Sequence, residues 1–183
     1  LGRTYDGKER QVRYRTVPET GAYGWVNVGA WVRPSAGVCA FASTFVRHKT
    51  STKPTPATVF LGATGAFKVY LNGALVLKDD KYRDLDVDRR GANVTLKPGW
   101  NRVIVKICGD EDEPMFTLRF GAANGAPQPD IEASVDLSHA RDAALLSEPD
   151  RKGKTPLPAA RGPLAALERA EKSGDPATLT AFA

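Results

Sequence analysis

The sequence predicts a mainly β protein, an antiparallel β-sandwich followed by a short α-helical segment, on three observations. The apolar runs Phe67 to Leu71 and Ala74 to Leu77 flank Asn72-Gly73, and both residues of that pair tolerate the positive φ that a type I′ hairpin turn demands. A second turn follows at Pro98-Gly99, where proline presets the first central φ and glycine supplies the second. Alternation of apolar and polar residues with period two recurs over the first two thirds of the chain, and no helix-length segment intervenes to make parallel crossovers.

Taken in order, the strands begin with Trp25 to Val32, which sets Val26, Val28, Ala30 and Val32 on one face and Trp25, Asn27, Gly29 and Trp31 on the other. Cys39 to Val46 alternates Cys39, Phe41, Ser43 and Phe45 against Ala40, Ala42, Thr44 and Val46, and the two phenylalanines mark the first set as apolar. Ser51 to Pro56, rich in Thr, Lys and Pro, reads as an exposed loop. Thr58 to Ala63 and Phe67 to Leu71 then form two strands around Gly65, with Val59, Leu61, Phe67, Val69 and Leu71 inward. Leu75 to Leu77 returns from the Asn-Gly turn, a charged loop runs from Lys78 to Arg90, and Asn93 to Leu96, Arg102 to Cys108 and Met115 to Phe120 complete the set.

Composition changes after Phe120, and no further clear strand follows. Residues 123–160 read as a linker holding a short helix, N-capped by Ser138 and ended before Pro149. Residues 161–183 read as a truncated helical hairpin: Leu164, Leu167 and Ala170 lie at helical spacing, Gly174 suits a left-handed C-terminal cap, and Asp175-Pro176 starts a second helix. A lone helical pair has too little buried area to offset its ordering entropy, so Leu164, Leu167, Leu179 and Phe182 are expected to dock weakly on the sandwich or to meet further repeats.

The succession of strand, Asn-Gly, charged excursion, strand, Gly-Trp-Asn and strand resembles the galactose-binding-like domain, the jelly roll of many carbohydrate-binding modules, over about residues 25 to 120. The helix, Gly, Asp-Pro, helix pattern at the end resembles the hairpin of tetratricopeptide-type repeats. Together they look like a piece of a larger multidomain bacterial protein, with residues 1–122 as the sandwich. What the resemblance implies is a non-catalytic binding module for carbohydrate or cell-envelope glycan. The alternative is a structural or protein-interaction module that orients downstream helical repeats.

Sugar recognition needs an aromatic face for C–H stacking beside groups that bond hydroxyls, and the candidates are Trp31, Tyr82, Arg83 and Trp100. Enzymatic activity finds no support: His48 and His139 stand in no nucleophile or metal motif, and Asp79, Asp80, Asp84, Asp86 and Asp88 share one loop with Lys81, Arg83, Arg89 and Arg90, where mutual neutralisation is the simpler reading. No cofactor is implied. Structural calcium is left open, at Asp84-Asp86-Asp88 or at Asp110 to Glu113, although a solvated acidic turn explains the second as well.

The two cysteines fall on strands that a jelly roll of this kind makes neighbours. Parity argues against a bridge, because Val103, Val105 and Ile107 mark the inward face and leave Cys108 outward, whereas Cys39 shares a face with Phe41 and Phe45. Two reduced, mostly buried thiols are expected.

Hydrophobic residues at 42% and charged residues at 26% are globular composition. The formal charge of +5 is unevenly spread: residues 1–90 hold fifteen Lys and Arg against eight Asp and Glu, the remainder eleven against thirteen. The basic excess of the N-terminal half suits acidic polysaccharide or nucleic acid, but the missing nucleic-acid motif disfavours the latter. The chain begins at Leu1 and its one methionine is Met115, which reads as a processed product or excised fragment. No apolar run approaches the ~18 residues of a membrane span; localisation is left unassigned, with the cell envelope or secretion slightly favoured.

Overall fold

The computed structural model describes residues 2–17, 20–21, 24–141, 160–161 and 172. It is a mainly β, antiparallel sandwich. One sheet has the order β3-β10-β5-β8-β12, from Val26–Asn27 (β3), Met115–Gly121 (β10), Thr55–Ala63 (β5), Arg90–Leu96 (β8) and Ala160–Arg161 (β12). The other has the order β11-β4-β9-β6-β7, from Ile131–Ser134 (β11), Cys39–His48 (β4), Asn101–Cys108 (β9), Ala66–Leu71 (β6) and Ala74–Asp79 (β7). A small hairpin, Thr4–Asp6 (β1) with Gln11–Arg13 (β2), precedes them.

Four antiparallel pairs are nested in the chain: β6 with β7, β5 with β8, β4 with β9 and β3 with β10. The sandwich is thus one long hairpin rolled into two sheets, which is the jelly-roll arrangement. Its innermost turn is Asn72-Gly73, a two-residue loop between Leu71 and Ala74 with φ of 51° and 87°. Both signs are positive, as a type I′ turn requires.

The core between the sheets holds Val59 and Leu61 of β5, Phe67, Val69 and Leu71 of β6, Ala92, Val94 and Leu96 of β8, and Val103, Val105 and Ile107 of β9. Each set alternates along its strand, so the period-two pattern became buried area. Asn101 is the polar exception at 0% exposure. Its amide donates to the carbonyls of Lys97 (2.8 Å) and Gly99 (3.0 Å), and its Oδ1 accepts from the Lys97 N–H (2.9 Å) and from Asn72 Nδ2 (2.8 Å). Asn72 also accepts the Arg102 N–H through Oδ1, at 2.9 Å. The Asn-Gly and Gly-Trp-Asn turns are therefore stitched together, Asn101 satisfying the backbone of the corner where the chain leaves one sheet for the other.

Four sequence expectations need correction. The strand expected over Trp25 to Val32 is only Val26–Asn27, because Asn27 Oδ1 accepts the Ala30 N–H (2.9 Å) and turns the chain. Strands do occur past Phe120: β11 pairs with β4 through Phe45 to His48, and β12 pairs with Gly91 and Ala92 of β8. Ser138 is not an N-cap; Asp136 accepts the Ser138 N–H (2.8 Å) at the head of a 3-10 helix over Leu137–Arg141, and this bond holds its carboxyl below the usual range.

The fourth concerns the cysteines, which form a Cys39–Cys108 disulfide. The inward face of β4 is Ala40, Ala42, Thr44 and Val46; Cys39, Phe41, Ser43 and Phe45 face outward, as Cys108 does on β9, and the two cysteines are direct register partners. The parity argument took the phenylalanine face as inward. In fact Phe41 is 51% exposed beside Lys106, and Phe45 is buried on the outer face next to His139 of the 3-10 helix. Apart from Arg161, which belongs to β12, and Lys172, the helical hairpin expected over residues 161–183, with Leu164, Leu167, Leu179 and Phe182, lies outside the described residues, as does the rest of the helix expected from Ser138.

Candidate functional site

The four predicted ligand residues occupy three different places. Trp100 sits at the Asn101 corner, where His139 stacks on it (4.0 Å between centroids) and the Arg47 guanidinium lies 4.5 Å from the ring centre; Arg47 itself pairs with Glu132 of β11. This ring holds the 3-10 helix to the sheet. Tyr82 is 53% exposed in the loop of residues 80–89. Arg83, beside it, donates its backbone N–H to Thr64 O (3.0 Å) and reaches Asp79 at 3.5 Å. Trp31, 40% exposed, follows a turn in which its N–H bonds Val28 O, and the Val28 N–H in turn bonds Pro114 O. That places Trp31 towards the Cys108 end of β9, eight residues and roughly 25 Å of strand from Trp100.

The loop of residues 80–89 is built from ion pairs. Asp79, 6% exposed, accepts Arg90 Nε at 3.0 Å; Asp86 pairs with Arg89, and Asp88 takes Arg119 of β10 at 2.5 and 2.7 Å. Burial alone would push the Asp79 carboxyl up, but the Arg90 hydrogen bond, the Lys81 N–H and the charges of Arg90 and Arg83 together hold it below the usual range. The loop crosses so close to Gly62 that a Cβ there would overlap the Asp86 carbonyl. Among the described residues no group of three or more His, Cys, Asp or Glu side chains is arranged to hold a metal ion. Likewise, no helix is long and apolar enough to cross a membrane.

Trp31 is the predicted residue that lines a cleft of about 1110 Å³ where the sheets part on the side of β3, β10, β4 and β11. Three features open it. β3 pairs only with Met115 and Phe116 of β10, and β11 only with the last four residues of β4, so the edges between are uncovered. The inward face of β4 contributes Ala40 and Ala42 opposite Leu118 and Phe120, leaving space that larger side chains would fill. Over the mouth lies the β1–β2 hairpin, its Tyr5 and Tyr14 edge to face at 5.9 Å. Burial pushes the Tyr14 phenol up, against the opposing charge of Arg102.

Six arginines line this cleft and have no carboxylate partner among the described residues: Arg3, Arg10, Arg13, Arg15, Arg33 and Arg102. Arg15 lies over Trp31 at 6.0 Å and Arg3 over Tyr5 at 5.2 Å. Arg33 donates to the carbonyls of Gly29 and Val32, and Arg102 to Ser43 Oγ. The sequence reading saw this basic excess without a location, because a charge count does not show that a hairpin carries it to the opening between two sheets. No family model, curated protein or solved structure matches the chain.

Proposed function

We propose that this sandwich is a non-catalytic binding module for carbohydrate, with cell-envelope glycan as the ligand class, acting within a larger protein. The reading draws on the resemblance of the turn and strand pattern to galactose-binding-like domains. One observation carries it: Trp31 stands exposed on the rim of an open cleft, with Tyr5, Tyr14 and arginines around it, the pairing of aromatic face and polar donor that sugar rings require. A disulfide joining two sandwich strands agrees with an oxidising compartment.

A glycan array probed with the whole chain tests the reading. Saturable binding that Trp31→Ala abolishes supports it, and loss on Tyr82→Ala instead moves the site to the loop of residues 80–89. Uniformly negative arrays, with association to downstream helical repeats, would replace it by the structural role.

A further inference from the structure

We propose that the cleft behind Trp31 is a binding site for an anionic amphiphile, with a single hydrocarbon chain lying between the sheets and its acidic head held by the arginines at the mouth. This goes beyond the glycan reading and does not rest on it.

The inner walls argue for the chain. Val26, Val32, Ala40, Leu118, Phe120 and Ile131 are only partly buried hydrophobic residues packed against the core, so they present apolar surface to the cleft. The polar side chain on the inward face of β4, Thr44, has its hydroxyl committed to Ser134 O at 3.0 Å. A sugar driven this deep would lose water from its hydroxyls without partners to replace it, whereas a methylene chain gains with each group removed from water. The cleft measures about 1110 Å³ in all, part of it along the outer face at Phe41, Ser43 and Arg102, and the part between the sheets need hold only one narrow chain.

The mouth argues for the head. Guanidinium groups suit carboxylate and phosphate alike, each presenting a planar fork of donors to paired oxygens. Among the described residues Arg3, Arg10, Arg13, Arg15 and Arg33 carry no opposing carboxylate; Arg102 lies on the outer face with Ser43, and Glu132, which also lines the cleft, is held by Arg47. Positive potential at an opening whose interior is apolar is the complement of a molecule with an acidic end and a hydrocarbon body. A nucleic-acid strand fits less well. Asn27 Nδ2 donates to Glu113 (3.1 Å), which sets the acidic loop Asp110 to Glu113 against β3 at the edge of the sheet, where it would repel a continuous phosphate backbone.

The test is calorimetric titration of the whole chain with monomeric laurate, hexanoate, dodecyl phosphate, dodecyl maltoside and dodecyltrimethylammonium. Laurate should bind saturably, one per chain, and hexanoate more than about a hundredfold more weakly, since six methylenes are withdrawn. Dodecyl phosphate against laurate distinguishes a phosphate from a carboxylate head, and tight binding of either supports the proposal. Replacing Arg13, the last residue of β2, and Arg15, two residues beyond it, together by Gln, both exposed, should weaken laurate about tenfold. Ala42→Phe, which fills the cleft, should remove chain-length dependence; if that variant does not fold, the arginine pair and the chain-length series still decide. Equal affinity for the maltoside or the ammonium compound, equal affinity for laurate and hexanoate, or no binding at all overturns the proposal. Laurate binding by a chain that ignores every glycan would support it while removing the glycan reading.

Discussion

The two sides of this sandwich are built from the same alternating strands, yet the side of β6, β7 and β8 is the more closed, with a cleft of about 790 Å³ against about 1110 Å³ on the side of β3 and β11. On the closed side β6 and β7 join through two residues, β8 reaches β9 through a short corner, and the side chains of Asn72 and Asn101 tie the two turns together. On the open side the edge strands β3 and β11 arrive from distant parts of the chain and pair over two and four residues, and β4 meets β10 across the cleft through alanines. The difference teaches that alternation alone puts apolar residues inward, but closure needs local turns that dictate register. Where edge strands depend on long connections, the sheets part and leave usable space.

The largest expected effect is on the strand that borders the opening. The Cys39–Cys108 disulfide closes a loop with a sequence separation of 69 and ties β4 to β9, so replacing both cysteines by Ser should cost about 4 kcal/mol in urea unfolding. An unchanged midpoint would show that β4 is held by pairing alone. Next, truncation should separate the two sides. Leu61→Ala, at 0% exposure in the core, should lose about 3 kcal/mol, whereas Leu118→Ala, already facing the cleft, should lose about 1 kcal/mol. Equal losses would mean that the cleft is packed as tightly as the closed core.

Asn101→Ala should cost about 2 kcal/mol, because the corner at Lys97 and Gly99 loses the three hydrogen bonds that the fully buried amide makes to it. Hydrogen exchange should then rise first at the Asn72 and Arg102 amides; an unaltered exchange pattern would dissociate Asn101 from the closure. The smallest effect is that of pH. Since the Asp79 carboxyl is held below its unfolded value, its contribution is complete above about pH 4 and is lost as pH falls through the folded value. Asp79→Asn should therefore flatten the stability profile in that acidic range, and a variant with the wild-type slope would assign acid sensitivity to other carboxylates.

Legibility followed how local the information was. The strands from Cys39 to Phe120 stand within a few residues of where alternation and turn signals place them, and Val59, Leu61, Phe67, Val69 and Leu71 point inward as expected. The face of β4 was misread because Phe41 and Phe45 outweigh alanines in any hydrophobic pattern, whereas burial of Phe45 comes from a segment that sequence patterning did not connect with it. Of the site, Trp31 was named on its chemistry, but the hairpin arginines and the cleft were not, since neither Thr4–Asp6 nor Gln11–Arg13 is long enough to announce a strand.

By itself the sequence determined the class of fold, the innermost turn and the alternation that fills the closed side, because each depends on the φ preference of one or two residues or on a period of two. Tertiary structure alone decided which face of β4 turned inward, that Cys39 and Cys108 are register partners, and that Arg3, Arg10, Arg13, Arg15 and Arg33 gather at an apolar opening. Those outcomes depend on which distant strand pairs with which, and pairing between strands tens of residues apart is selected by the whole packed sandwich, not by the neighbours of any one residue.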